Sequence, residues 1–482
     1  MSDLFRKKSV ALLISESHSG EHTLKRSLGS LALVALGIGA IIGAGLFVRT
    51  AAAAGSHAGP AVIISFLIAG LGCAFAGLCY AEFAAMIPVA GSAYTYSYAT
   101  MGEFVAWIIG WDLVLEYSLG AATVAIAWSE YLNNLLGNFG MHIPYEYCHS
   151  PFQAGADGVH GLINLPALFI LLVISLVLMR GTEESAVVNG IIVIVKVAIV
   201  LLFIALGWKF IRPENHVPFI PENTGVFGEF GWSGILKGAG IVFFAFIGFD
   251  AVSTAAQEAK EPQKGMPIGI LGSLVVCTFL YVLFSYVLTG VANYKDFGVG
   301  GAGHEASVAY AITTYMPGYS WLSVMITVAI LAGFSSVILV MLLGQSRVFF
   351  SMSKDGLLPA VFSDLHPKFK TPFKSNALLF LFVGVFAAFV PGDTVGNMTS
   401  IGTLFAFVLV CAGIIIMRKT DPDTPRPFKT PLVPLVPILG ILVCAAMIYG
   451  LGVENWVRLF VWLGIGFVIY FGYSVKNSKL NK

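Results

Sequence analysis

Residues 37–47 read GIGAIIGAGLF, and residues 242–254 read VFFAFIGFDAVST. Each lies inside a longer apolar run, 31–54 in the first case and 231–256 in the second. A helix in lipid must satisfy its own backbone, because hydrocarbon offers no substitute partners. A break is tolerated only where it is buried in protein or lines a cavity. Gly37, Gly39, Gly43 and Gly45 in the first run let the chain leave helical geometry, as does Gly248 beside the acid Asp250 in the second. Two interrupted spans in corresponding places of two halves point to a transporter's binding site.

The composition sets the class. Hydrophobic residues make up 57% of the 482 and charged residues 11%, and the mean hydropathy is +0.86. A soluble domain carries about 25% charge, so this reads as an all-α polytopic membrane protein. A crossing needs about 20 apolar residues. Twelve segments qualify: 31–54, 60–87, 102–132, 164–180, 185–209, 231–256, 267–292, 320–345, 376–391, 397–417, 431–450 and 455–475. The first 30 residues are polar and basic and do not read as a cleavable signal. Leu4, Phe5, Val10, Leu12 and Leu13 beside Arg6, Lys7 and Lys8 suit a short interfacial helix or an unstructured tail.

Cytoplasmic loops collect Lys and Arg. With both termini inside, twenty of the 27 basic residues fall on the inner side. Arg49, Lys209, Arg212, Lys237, Lys295 and Arg458 fall outside, and Lys196 lies within a span. Five spans separate the two breaks. An odd number reverses direction, so the second five are expected to be inverted relative to the first. The expected organisation is a cytoplasmic tail 1–30, a first five-helix repeat 31–209, an inverted repeat 231–417, two added helices 431–475 and a cytoplasmic tail 476–482. A formal charge of +1 gives no reason to expect nucleic acid. Five of the six cysteines lie in predicted spans and only Cys148 in an outer loop, so they read as packing residues.

The breaks also suggest a ligand. After the first, the outer half-helix starts near Leu46 and offers N–H groups and its positive end to an anion. The inner half ends in carbonyls near Ile41. Gly39 and Gly43 also fit a helix-packing motif. At the second break, carbonyls near Phe244, Ala245 and Ile247 face the same region. N–H groups and carbonyls together suit a zwitterion, the backbone of an amino acid. Phe244 and Phe246 are expected to wall its side-chain pocket. Asp250 reads as N-cap of the inner half-helix, with Ser253 at the capping distance.

Lys196 lies in IIVIVKVAIVLLFIALG, residues 191–207. A buried lysine there is costly unless paired. It could carry a proton, or stand as a fixed cation where other transporters hold sodium. Snorkelling to the inner surface is the bland alternative. Asp112 and Glu116 share a helix face at i, i+4. Glu116 is deep enough to meet substrate or a proton, while Asp112 and Glu82 lie nearer the inner mouth. Met341 is a candidate pocket wall. HExxH, GxSxG and GxxxxGK[ST] do not occur, so no enzyme, metal site or cofactor is expected.

GIGAIIGAGLF (37–47), the stretch from Cys79 to Tyr117, residues 243–270 and GQSRVFFSMSKDGLLP (344–359) together resemble the amino acid–polyamine–organocation superfamily. Within it they resemble bacterial members of the cationic amino acid transporter family. The resemblance implies the leucine-transporter fold, ten core helices plus two, and proton-coupled amino acid uptake at the plasma membrane. It implies that Ile41, Ala44 and Gly45 meet the substrate backbone; Gly43 joins them from the reading of the first break. From the second break it implies Phe244, Ala245 and Ile247. Lys196 matches the family lysine that stands where sodium-coupled relatives bind an ion, and Met341 a position that bears on side-chain size. Relatives often carry Ser or Thr where this chain has Ala44, so only backbone N–H groups remain there. The expected function is a proton-coupled amino acid permease working by alternating access. The alternatives are an uncoupled or sodium-coupled exchanger, or a sensor that binds without transporting.

Overall fold

A computed structural model describes residues 2–9, 28–87, 89, 92–155, 158–180, 186–256, 259–298, 301, 303 and 306–481. Among them, regular structure is helical, and only two isolated β-bridges occur. The helices are α1 (Ser30–Ile41), α2 (residues 45–58), α3 (Val62–Met86), α4 (Ser92–Thr100), α5 (Glu103–Gly137), α6 (Leu165–Arg180), α7 (Ala186–Gly207) and α8 (Gly231–Val242). They continue as α9 (Ala251–Thr254), α10 (Pro262–Val291), α11 (Ser307–Tyr315), α12 (Ser320–Lys354), α13 (Phe373–Phe389), α14 (Gly392–Thr420), α15 (Leu435–Gly450) and α16 (Val453–Ile469).

Eight helical stretches are long and apolar enough to cross a membrane, and four shorter apolar helices accompany them. The stretch Gly45–Met86 has 42 residues, about 60 Å of helix, twice a bilayer core. It turns at Gly59, where φ is +61°, and so divides into α2 and α3. α1 and α2 make one interrupted crossing, and α8 and α9 another. The described helices thus supply twelve crossings.

Two packed groups emerge. α1, α3, α8 and α10 pack against one another, and α5, α6, α12 and α13 form the other group. α7 touches α1, α10 and α12, and α14 touches both α3 and α5. Both breaks belong to the first group and face the second. The sequence placed α13 and α14 at 376–391 and 397–417. α14 instead begins at Gly392 behind Pro391, whose fixed φ suits the position just before a helix.

The chain ends are more ordered than a plain tail. Ser2–Phe5 forms a single helical turn whose Phe5 ring packs edge-on against Phe104. Val10, Leu12 and Leu13 lie outside the described residues.

Candidate functional site

α1 ends at Ile41. Ile42 is extended, with φ −72° and ψ 107°, and its N–H closes the last turn on the Ile38 carbonyl at 2.9 Å. The chain re-enters helix at Gly45 through a wide turn of π type, Gly45–Arg49. In the second interrupted crossing, α8 tightens into a 3₁₀ turn, Phe243–Phe246, and Ile247 is extended. Gly248 then takes φ +112°, a conformation that glycine alone adopts cheaply.

The two breaks cross at backbone contact. A Cβ on Gly45 would lie 2.6 Å from the Cβ of Ala245, and one on Gly248 would lie 2.9 Å from the Ala40 carbonyl oxygen. Each glycine is therefore required by the other strand of the crossing. The Tyr281 hydroxyl of α10 lies 3.1 Å from the Ile41 carbonyl and 2.8 Å from that of Ala245, and its single proton can be donated to either. Lys196 of α7 donates to the Gly39 carbonyl at 2.8 Å. The last turn of α1 is thus tied to the buried Lys196 side chain.

Around the crossing, Ile41, Gly43, Ala44, Gly45, Phe244, Ala245 and Ile247 are all buried. A Cβ on Gly43 would press on Val337 of α12 at 3.2 Å. Met341 lies one turn further along α12, its sulfur against Gly120 of α5 and near Thr399 of α14. These neighbours are apolar apart from the threonine hydroxyl, which donates to the Val395 carbonyl of its own helix.

Two expectations change in the structure. Phe246 does not share a wall with Phe244. Its ring packs on Phe66 at 6.3 Å and Tyr281 at 5.3 Å. A 3₁₀ turn has three residues per turn, so positions two apart point to different sides. Asp250 stands at the N-cap position of α9 but makes no side-chain cap bond. Its φ of −68° and ψ of −28° are helical, whereas a capping side chain needs an extended backbone to reach N2 or N3. Its carboxylate accepts instead from the Tyr117 hydroxyl at 2.5 Å and faces the Ser92 hydroxyl at 3.5 Å. Glu116 sits against Asp250 and Thr403. The wide turn Leu115–Leu119 in α5 aims Glu116 and Tyr117 toward the second break. Asp112 is fully buried beside Gly402, and neither of its oxygens has a hydrogen-bond partner among the described residues.

Charged clusters lie above and below. On the α2 side, Arg49 donates to Asp393 at 2.5 Å and also to Asn397, joining α2 to α14. A cavity bounded by Ala44, Arg49, Thr123, Glu130 and Asp393 leads from that side down to the first break. On the α1 side, Glu82 of α3 accepts two bonds of 2.8 Å from Arg418 and one of 2.7 Å from the Thr430 N–H, with Arg426 at 3.3 Å. Glu82 thus sits in a buried ion cluster joining α3 to the end of α14 and the loop after it. All six cysteines are buried and unbridged.

Tyr281, Tyr117, Asp393 and Asn397 had no sequence signal beyond being polar residues in or beside apolar spans. Their partners lie 36 to 348 residues away.

Interrupted crossings in backbone contact, with a lysine on the end of the first, define a membrane transport protein. The amino acid permease family profile matches residues 28–472. The chain is 46% identical over 479 residues to the branched-chain amino acid permease BcaP of Bacillus subtilis (strain 168), covering 99% of each chain. It is 43% identical to the methylthioribose transporter of the same organism, covering 100% of each. The vacuolar cationic amino acid transporter 4 of Arabidopsis thaliana is 34% identical, over 88% of this chain and 68% of that one. The chain belongs to the amino acid permease family, and it is a multi-pass membrane transport protein rather than an enzyme.

Proposed function

We propose that this chain is a proton-coupled symporter for neutral amino acids with apolar, branched side chains. The observation that carries the reading is the crossing of the two breaks. It brings a helix start (Gly43, Ala44, Gly45) and a helix end (Phe244, Ala245, Ile247) to one buried point. A substrate carboxylate would take the N–H end and the positive helix dipole. Its ammonium would take the carbonyl end, in competition with the Tyr281 hydroxyl. Val337, Met341 and Phe244 would receive the side chain, and Gly120 leaves room behind Met341. The apolar character of these walls supports a neutral substrate. So does a name: a relative 46% identical is a branched-chain amino acid permease.

Lys196 is the proposed proton carrier. In the protonated form it holds the Gly39 carbonyl and so the end of α1. Loss of that proton would release the half-helix. Alternating access then follows as rocking of the group holding α1, α3, α8 and α10 against the group of α5, α6, α12 and α13. Arg49 with Asp393 would close one side, and Tyr117 with Asp250 and Ser92 the other. The same reading orders the chain as two inverted five-helix units, 31–209 and 231–417, with 431–475 added. It places the protein in the plasma membrane with both ends in the cytoplasm, as the basic residues argue.

The test is uptake by purified protein in proteoliposomes. Accumulation of leucine, isoleucine or valine under an inward proton gradient is expected, abolished by a proton ionophore and unchanged when choline replaces sodium. Uptake that needs sodium would overturn the coupling. Uptake of methylthioribose alone would overturn the substrate class.

A further inference from the structure

We infer that the two chain ends form a single strap that holds the α1 end of the transport path shut, with Asp355 and Glu103 as its anchors. The proposal rests on the reading that the path opens at this end. At the first anchor, Lys8 donates to Asp355 at 3.0 Å and the Tyr94 hydroxyl donates to its other oxygen at 2.8 Å. The Lys479 N–H from the opposite terminus donates to the Asp355 backbone carbonyl at 3.0 Å. Lys8 is nearly buried, with 9% of its side chain exposed, so water screens this pair little. At the second anchor, Glu103 accepts from Tyr98 at 2.8 Å, from Tyr470 at 3.3 Å and from the Ser478 hydroxyl. Its own N–H donates to the Arg6 carbonyl at 3.0 Å. The termini also meet directly, Arg6 donating to the Leu480 carbonyl at 2.8 Å.

Both anchors act on α4. The Lys8 N–H donates to the Tyr98 carbonyl at 3.2 Å, and the Tyr94 and Tyr98 hydroxyls are the groups held by Asp355 and Glu103. The opposite side of α4 faces the second break: Ser92 meets Asp250, and Tyr96 lies beside Ser253. α9 is in turn clipped to α1. Leu28 and Ala259 form a β-bridge, with the Lys260 N–H on the Leu28 carbonyl at 2.9 Å. The two half-helices on this side therefore move as one piece. That piece cannot swing out past α4 while both termini hold it. Release of the strap frees α4, and α4 frees the half-helices.

The experiment is hydrogen–deuterium exchange on the full chain in nanodiscs, without substrate. Lys8→Glu is expected to speed exchange in residues 92–100 and 30–41 by about tenfold, the factor for roughly 1.4 kcal/mol. Residues 45–58 on the far side should keep the wild-type rate. The double variant Lys8→Asp with Asp355→Lys should restore protection by rebuilding the pair. Ser478→Ala, acting at the other anchor, should speed the same two segments. Unchanged exchange in 92–100 for both Lys8→Glu and Ser478→Ala would overturn the strap. So would loss of protection spread evenly to 45–58. None of these readings needs uptake. A wild-type protein that takes up no amino acid would sink the transport reading while the exchange result still decides the strap.

Discussion

Lys196 reaches from α7 to the carbonyl of Gly39 and holds it at 2.8 Å, 157 residues away in sequence. Its stem lies across Gly333 of α12, where a Cβ would come within 2.9 Å of Cε. The ammonium is thus wedged between the broken crossing and the opposite packed group, where a change in its charge acts on both.

Replacing Lys196 by Ala removes that grip. Uptake driven by a pH gradient should fall by about a hundredfold or more in proteoliposomes, with the protein still folded by thermal shift. Full gradient-driven uptake in this variant would refute a coupling role. Substrate-for-substrate exchange, which needs no net proton movement, should survive better than accumulation. The ratio of the two rates separates lost coupling from lost binding.

Tyr281→Phe tests the hydroxyl shared by the two breaks. The Ile41 and Ala245 carbonyls would lose their partner while staying buried, at a cost of about 1–3 kcal/mol. A lower melting temperature without substrate is expected, and a smaller deficit with saturating substrate, whose ammonium can occupy the same carbonyls. An equal deficit in both conditions would mean that the substrate does not reach them.

Gly248→Ala should disrupt the crossing. It forces a Cβ onto φ +112° and to 2.9 Å from the Ala40 carbonyl. The strain alone is about 1–3 kcal/mol. Substrate binding should weaken at least tenfold by calorimetry. Gly29→Ala, with no atom within 4 Å of the new Cβ, is the control and should bind as wild type.

His216, in the loop between α7 and α8, gives a pH signature outside the membrane. Burial holds its pKa below the ordinary value of 6.5, against a smaller pull upward from a backbone contact at Tyr286. The unfolded chain then binds the proton more readily than the folded one. Stability rises with pH through the mid-6 range and is lost as pH falls below it. The ring faces the Thr289 hydroxyl at 3.2 Å and lies tilted against Tyr286, 4.6 Å between ring centres. Melting temperature should drop on acidification from pH 7.5 to 5.5, and His216→Gln should flatten part of that slope. An identical slope would assign the effect elsewhere.

What the sequence determined by itself is the membrane class, the crossings and the two places where helices fail. Hydropathy is a sum over adjacent residues, and a glycine's freedom belongs to the residue, so both can be read locally. Lys196 was legible for the same reason, as a charge that its apolar neighbours cannot satisfy. The tertiary structure alone decided the partners. It made Gly45 a seat for Ala245 and Gly248 a seat for Ala40, set Tyr281 across both breaks, and turned Phe246 away from Phe244 through a 3₁₀ turn. It took Asp250 from its capping position to Tyr117, and carried both chain ends onto Asp355 and Glu103. Those contacts join residues that lie tens to hundreds of positions apart. Only the packing of one helix group against the other brings them within hydrogen-bond reach, and no local pattern records it.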